Sequence, residues 1–265
     1  MHSHFQLPLR KPFIVSRVSS PMLYVIGLGL HGDLTLEGCT IAQMCTVYIE
    51  AYTSVLTISL QKLEHILKRK ITILTRKDVE ETQYFLEEAK TSNVALLVVG
   101  DPLVATTHIE ILLEAHKQNI KTKIIHNSSV YSAIAETGLQ IYKFGKTATI
   151  PFPEKGFKPT SFYQVLQENK KIGAHTLMLL DIQADKKKYM NPKQAMEILY
   201  NLGYCQKIVC VSRLGCSTQN VVYGHIKDLL EFTEKYWGGP PHCVVIPGVL
   251  HFKEEEALEF YKVIP

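Results

Sequence analysis

Over the first half of the chain, short apolar runs alternate with segments whose apolar positions recur at helical spacing. Read by period, the pattern predicts strands over 23–30, 47–52, 71–74, 94–99 and 123–126, and helices over 36–44, 59–67, 79–89 and 109–118. Repeated strand–helix units of this kind build a mostly parallel sheet covered by helices on both faces. Past a helical segment at 130–135 that stops at Gly138, the pattern changes. Strands are predicted over 139–144, 147–152, 176–181, 207–214 and 243–247, with helices over 161–169 and 192–202. The loops between them contain proline and glycine, which suggests some antiparallel pairing. The expected architecture is two α/β domains in series: residues 1–21 as an N-terminal extension, 22–130 as the first domain and 131–265 as the second.

Composition narrows the class. Of 265 residues, 46% are hydrophobic and 20% charged, the balance of a packed globular chain and not a disordered one. No apolar run reaches the roughly 18–20 residues that a membrane span needs. The net charge of +4 is partly an end effect, because Arg10, Lys11 and Arg17 stand in a segment without acids. The remainder has 26 basic against 25 acidic residues, so no nucleic-acid stripe is expected. The first 21 residues read as a flexible extension or as a targeting segment. Six cysteines show neither Cys-x-x-Cys nor zinc-ligand spacing. They read as reduced, mostly buried thiols of a cytoplasmic protein, with no metal site.

Two strand ends hold the candidate chemistry. The run Val94 to Val99 breaks at Gly100-Asp101-Pro102 and leads through Thr106-Thr107-His108 into a helix. Ligands of open α/β sheets gather beyond the carboxyl ends of the strands, so a carboxylate there points to a small-molecule site. The run Leu23 to Leu30 ends in glycines at 27, 29 and 32, where backbone can approach a ligand closely for want of a Cβ. Their spacing matches a dinucleotide fingerprint, but no helix follows at once, so the match is weak. Two domains in series also make a cleft, a favoured ligand site. Asn127 to Val130, Asp181, Arg213-Leu214-Gly215 and Pro240-Pro241-His242 are further strand-end segments that could converge there.

From Met22 onward the chain resembles the diphthine synthases, class III methyltransferases related to the tetrapyrrole methylases. The matching stretches are Met22 to Leu30, Glu50-Ala-Tyr-Thr-Ser54, Gly100 to His108, Tyr142-Lys-Phe-Gly145, His175 to Ile182, Ser212-Arg-Leu-Gly215 and Pro240-Pro-His242. The resemblance implies a cytoplasmic homodimer with its cofactor between two domains. It implies transfer of methyl groups from S-adenosylmethionine to the 3-amino-3-carboxypropyl arm on a histidine of translation elongation factor 2, in diphthamide biosynthesis. It leaves open whether a methyl ester follows the trimethylammonium. The positions that match the family's cofactor contacts are Leu30, Asp101, Val104, Ser129, Val130, Leu180, Leu214 and His242.

Each position also has a plainer reading. Asp101 and Ser129 could be helix caps, His242 a loop histidine, and the five aliphatic residues ordinary core. His108 reads as structural. No side chain stands out as a general base, and none is assigned a catalytic role. Rival readings are a methyltransferase of the same fold acting on a tetrapyrrole or ribosomal RNA, a cofactor-binding protein without turnover and, more remotely, a nicotinamide dehydrogenase.

Overall fold

A computed structural model describes residues 20–263 apart from 155, 157 and 158. The extension read at the N-terminus lies outside the described residues up to residue 19. The first lobe is built from β1 (Met22–Gly27), α1 (Leu36–Ala42), β2 (Thr46–Glu50), α2 (Leu60–Leu67), β3 (Ile71–Leu74), α3 (Tyr84–Ala89), β4 (Val94–Val98), α4 (Ile109–Lys117) and β5 (Lys121–Ile125). Its five strands are all parallel, in the order β3-β2-β4-β1-β5. The central strand β4 is buried along its whole length, which is why it reads as an uninterrupted apolar run. Alternate residues of β1 serve opposite faces: Leu23 and Val25 join one apolar cluster, Tyr24 and Ile26 the other.

The second lobe follows with α5 (Val130–Ala133), β6 (Ala148–Ile150), α6 (Ser161–Lys171), β7 (Thr176–Leu180), β8 (Ile182–Gln183), β9 (Lys188–Tyr189), α7 (Pro192–Asn201), β10 (Lys207–Ser212), β11 (Asn220–His225), α8 (Ile226–Leu230), β12 (His242–Ile246) and α9 (Phe252–Glu259). The second sheet runs β11-β10-β12-β7-β6. Only β6 and β7 pair in parallel there; the other pairings are antiparallel. Among the described residues no helix is long and apolar enough to cross a membrane.

Several sequence expectations need correction. The helix expected over 79–89 is broken at Gln83, which turns left-handed at φ 46° between a π-helical turn at Asp78–Thr82 and α3; a reciprocal exchange between Thr75 and Asp78 starts that first turn ahead of the expected helix. The strand expected over 139–144 is instead a 3-10 turn at Ile141–Lys143, reached through Gly138 at φ 82°. Only Phe144 touches the sheet, by an isolated bridge to His175. The strand over 23–30 stops at Gly27 because Gly29 has φ 63°. Edge strand β11, the short hairpin β8–β9, α8 and α9 were not anticipated. Cys45, Cys210 and Cys243 are buried as expected, whereas Cys205 is exposed.

The turn at 141–143 serves a buried charge cluster instead. The Glu254 carboxylate, fully buried, accepts from His175 Nε2 at 2.9 Å, from the backbone of Gln140 at 2.9 Å and of His251 at 2.8 Å, and from the Lys143 ammonium. The Gly248 N–H donates to His175 Nδ1 at 2.8 Å, so the tautomer with hydrogen on Nε2 is set by the backbone. Burial alone would raise the Glu254 pKa, but this set of donors outweighs it and holds the carboxyl at about 2.

The strand ends of the first lobe meet at Gly27. A Cβ there would stand 2.6 Å from the Gly100 carbonyl oxygen and 2.8 Å from Asn127 Cβ. The Asn127 amide donates to the carbonyls of Gly27 at 2.9 Å and Asp33 at 2.8 Å, stitching three loops together. Gly27→Ala is therefore expected to cost about 1–3 kcal/mol by overpacking, read as a lower urea midpoint; an unchanged midpoint would show that the loops separate easily.

Candidate active site

The loops beyond β1 and β4 form one unit. Gly29 and Gly100, both with positive φ (63° and 79°), exchange backbone hydrogen bonds of 3.1 and 2.8 Å. Asp101 follows directly and is 7% exposed. Its Oδ1 accepts from the Leu103 N–H at 3.0 Å; its Oδ2 accepts from the Asn127 N–H at 3.2 Å and lies 2.8 Å from His126 Nδ1. The carboxylate thus turns its own loop and ties it to the end of β5. It does not cap α4, whose N-cap is His108. Beyond this turn Val104 faces the cleft, and the backbone passes through Ala105 at φ 55°. His108 is buried beneath, with Nδ1 3.2 Å from the Pro102 carbonyl.

Ser129 is the N-cap residue of α5 and Val130 its first residue. The Ser132 hydroxyl accepts from the Ser129 N–H at 3.2 Å, so this turn is held from within. From the second lobe, β7 ends at Leu180, and Asp181 accepts from the backbone of Phe152 and the amide of Gln183, each at 3.0 Å. Arg213 braces the opposite wall. Its guanidinium donates to the carbonyls of Thr218, Trp237 and Gly239 at 2.6–3.2 Å, and its own N–H to the Pro241 carbonyl at 2.8 Å. This brace sets Leu214 and His242 against the cleft. Neither ring nitrogen of His242 has a hydrogen-bond partner. Burial pushes the imidazole pKa below its ordinary value. Backbone of Trp237, Met190 and Gly238 opposes that shift in part, none of it in hydrogen-bonding geometry.

All eight residues singled out in the sequence, Leu30, Asp101, Val104, Ser129, Val130, Leu180, Leu214 and His242, line a single cavity of about 440 Å³ between the lobes. That volume is in the range of small-molecule and cofactor sites. Sequence reasoning missed the flank that Tyr52, Thr53, Ser54, Arg76 and Glu80 add to the same cavity. A signal was present: Tyr52 lies in a stretch already matched to the family, and Arg76 follows a predicted strand of a parallel sheet.

A two-lobed α/β chain with its strand-end loops around one inter-lobe cavity fits a known class. The chain belongs to the tetrapyrrole (corrin/porphyrin) methylases, whose family model matches residues 22–230, and within them to the diphthine synthases. It is 44% identical over 253 residues to a diphthine synthase of Methanococcus maripaludis, covering 90% of this chain and 98% of that one. Identity to the diphthine synthase of Methanocaldococcus jannaschii is 43% over 255 residues, with the same shares covered. A crystal structure of a candidate diphthine synthase from Entamoeba histolytica superposes with a TM-score of 0.84 at 38% identity, covering 92% of this chain and 100% of that one. The family resemblance read from the sequence motifs is borne out, and the protein is a methyltransferase.

Proposed function

We propose that this protein transfers methyl groups from S-adenosylmethionine to the amino group of the 3-amino-3-carboxypropyl histidine of translation elongation factor 2, in the cytoplasm and as a homodimer. The observation that supports this reading most is the convergence of all eight family-matched positions on one cavity, in a chain related to diphthine synthases over nine-tenths of its length. That relationship also favours a protein acceptor over the tetrapyrrole or ribosomal RNA of the rival reading. In the same reading the division between the two domains falls at residue 130.

The cavity suits such a cofactor. Leu180, Leu214, Val104 and Val130 give apolar walls for a nucleoside, and His242 completes the wall of the second lobe with its ring nitrogens buried. S-adenosylmethionine supplies a methyl group already activated on a sulfonium, so the protein need provide neither a metal nor a covalent nucleophile. The chain's own task is alignment and exclusion of water, which can lower a barrier by roughly 7–11 kcal/mol. The Gly29–Gly100 pairing and the Asp101 ties fix the floor, and the Arg213 brace fixes the facing wall. The amine must be deprotonated before each attack; the products of the first two transfers each shed a further proton to water, and the third transfer leaves a quaternary ammonium with none to lose.

The test is incubation with labelled S-adenosylmethionine and elongation factor 2 carrying the unmethylated arm, read by mass spectrometry. Mass increments of one methyl on the modified histidine support the reading; label on RNA, or none on the factor, overturns it. His242→Ala is expected to weaken S-adenosylhomocysteine binding several-fold by opening the cavity wall that its ring fills, read by titration calorimetry; unchanged affinity would remove His242 from the site.

A further inference from the structure

The flank of the cleft beyond β2 and β3 uses none of the eight positions. In the strand order β3-β2-β4-β1-β5, the ends of β1, β4 and β5 supply Leu30, Asp101, Val104 and Ser129. Arg76 follows β3, two strand spacings from β4 in the other direction, or roughly 10 Å. It is the only lysine or arginine lining the cavity among the described residues. Its guanidinium lies over the Tyr52 ring, 4.8 Å from the centroid. Nη1 donates to Glu80 Oε1 at 3.3 Å, and Nε lies 3.7 Å from Asp185 Oδ2 on the turn between β8 and β9 of the second lobe.

The shelf beneath Arg76 is rigid. Buried Glu50 accepts from the Thr53 hydroxyl at 2.6 Å and from the N–H groups of Tyr52 and Thr53 at 3.3 Å each, and Tyr52 is itself buried. Above that shelf the cation is loosely held. The Arg76 side chain is 53% exposed, its contact with Asp185 is long, and Nη2 makes no hydrogen bond among the described residues. A planar fork on a fixed support with donors to spare is suited to a carboxylate, which can replace Asp185 and accept two parallel hydrogen bonds.

We propose that Arg76 binds the carboxylate of the acceptor arm, while Glu80 beside it accepts an N–H of the neighbouring amine in the first two transfers. The inference rests on the acceptor named under Proposed function and deepens it: the site selects a free α-amino acid terminus. The cofactor ends in the same chemical group. Strand order assigns Arg76 to the acceptor, because the first lobe's cofactor positions lie at the end of β4 and on the flank of it away from β3. In this arrangement Arg76 and Glu80 hold both polar substituents of the α-carbon, so the amine lone pair is aimed along the cleft toward the methyl donor.

The test uses Arg76→Gln and Arg76→Lys in the full chain, with elongation factor 2 bearing the unmethylated arm as acceptor. Arg76→Gln should raise the acceptor KM at least tenfold at saturating S-adenosylmethionine, while the calorimetric Kd of S-adenosylhomocysteine stays within twofold and the melting temperature is unchanged. Arg76→Lys should restore less than half of the loss, because a point charge cannot reproduce the fork. An acceptor KM within twofold of wild type would overturn the proposal, as would weakening of S-adenosylhomocysteine binding in step with KM, which assigns Arg76 to the cofactor. A wild-type protein that binds S-adenosylhomocysteine yet methylates no elongation factor would instead overturn the acceptor itself, and this inference with it.

Discussion

Replacing Glu254 by alanine is expected to destabilise the protein by about 3–5 kcal/mol, the usual cost of removing one partner from a buried charged cluster. Four donors lose their acceptor at once: the His175 ring, the Lys143 ammonium and the backbone N–H groups of Gln140 and His251. Glu254→Gln keeps an oxygen but loses the charge, and should cost less. The same cluster sets an acid limit. The Glu254 pKa is about 2 folded against an ordinary 4.5, so its stabilisation is complete above about 4.5 and drains away as pH falls toward 2. His175 acts in the same direction: burial lowers its pKa from an ordinary 6.5, so protonation favours the unfolded chain once pH drops below that value. Wild-type urea midpoints should therefore fall steadily from pH 7 to pH 3, and Glu254→Gln should flatten the lower part of that fall. Parallel profiles for the two proteins would exclude Glu254 as the source.

Asp101→Ala is expected to weaken S-adenosylhomocysteine binding by roughly 10–150-fold, equivalent to the 1.5–3 kcal/mol of a charged hydrogen bond. The carboxylate joins the loop after β4 to the loop after β5, and both loops line the cavity. Its removal frees the Leu103 and Asn127 N–H groups and lets the floor of the cleft separate. The effect should appear in calorimetry before any in global stability, because both loops are at the surface of the first sheet. Asp101→Asn keeps an acceptor and should fall between wild type and alanine. Unchanged affinity in Asp101→Ala would sink the idea that this carboxylate organises the binding site.

The parallel first lobe was legible in the sequence because its buried central strand forces a continuous apolar run, Val94 to Val98, whose end is marked by Gly100-Asp101-Pro102. That strand-end segments of both lobes converge was legible from the strand ends; which eight residues among them was legible only through family motifs. Leu30, Val104, Val130, Leu180 and Leu214 have no chemistry that separates them from core, and residues far apart in sequence meet only after folding. Side-chain capture of backbone was not legible. The Thr75–Asp78 exchange starts a turn before the regular helical pattern over 79–89, Gln83 then breaks that pattern, and Lys143 is drawn to a glutamate more than a hundred residues away. Edge strand β11 escaped notice because Gly224 and polar ends obscure its alternation. Arg76 was missed for another reason: its role depends on Tyr52, which strand order brings beneath it, as well as on Glu80 one helical turn away.

Arg213 adopts φ 50°, a conformation that costs a residue with a side chain on the order of 1 kcal/mol or more. The ring of carbonyls around its guanidinium compensates for that cost during folding, before any guest arrives. The pocket rim bearing Leu214 and His242 is thus already shaped, and capture of the donor molecule surrenders little chain freedom there, leaving more of the contact energy as affinity.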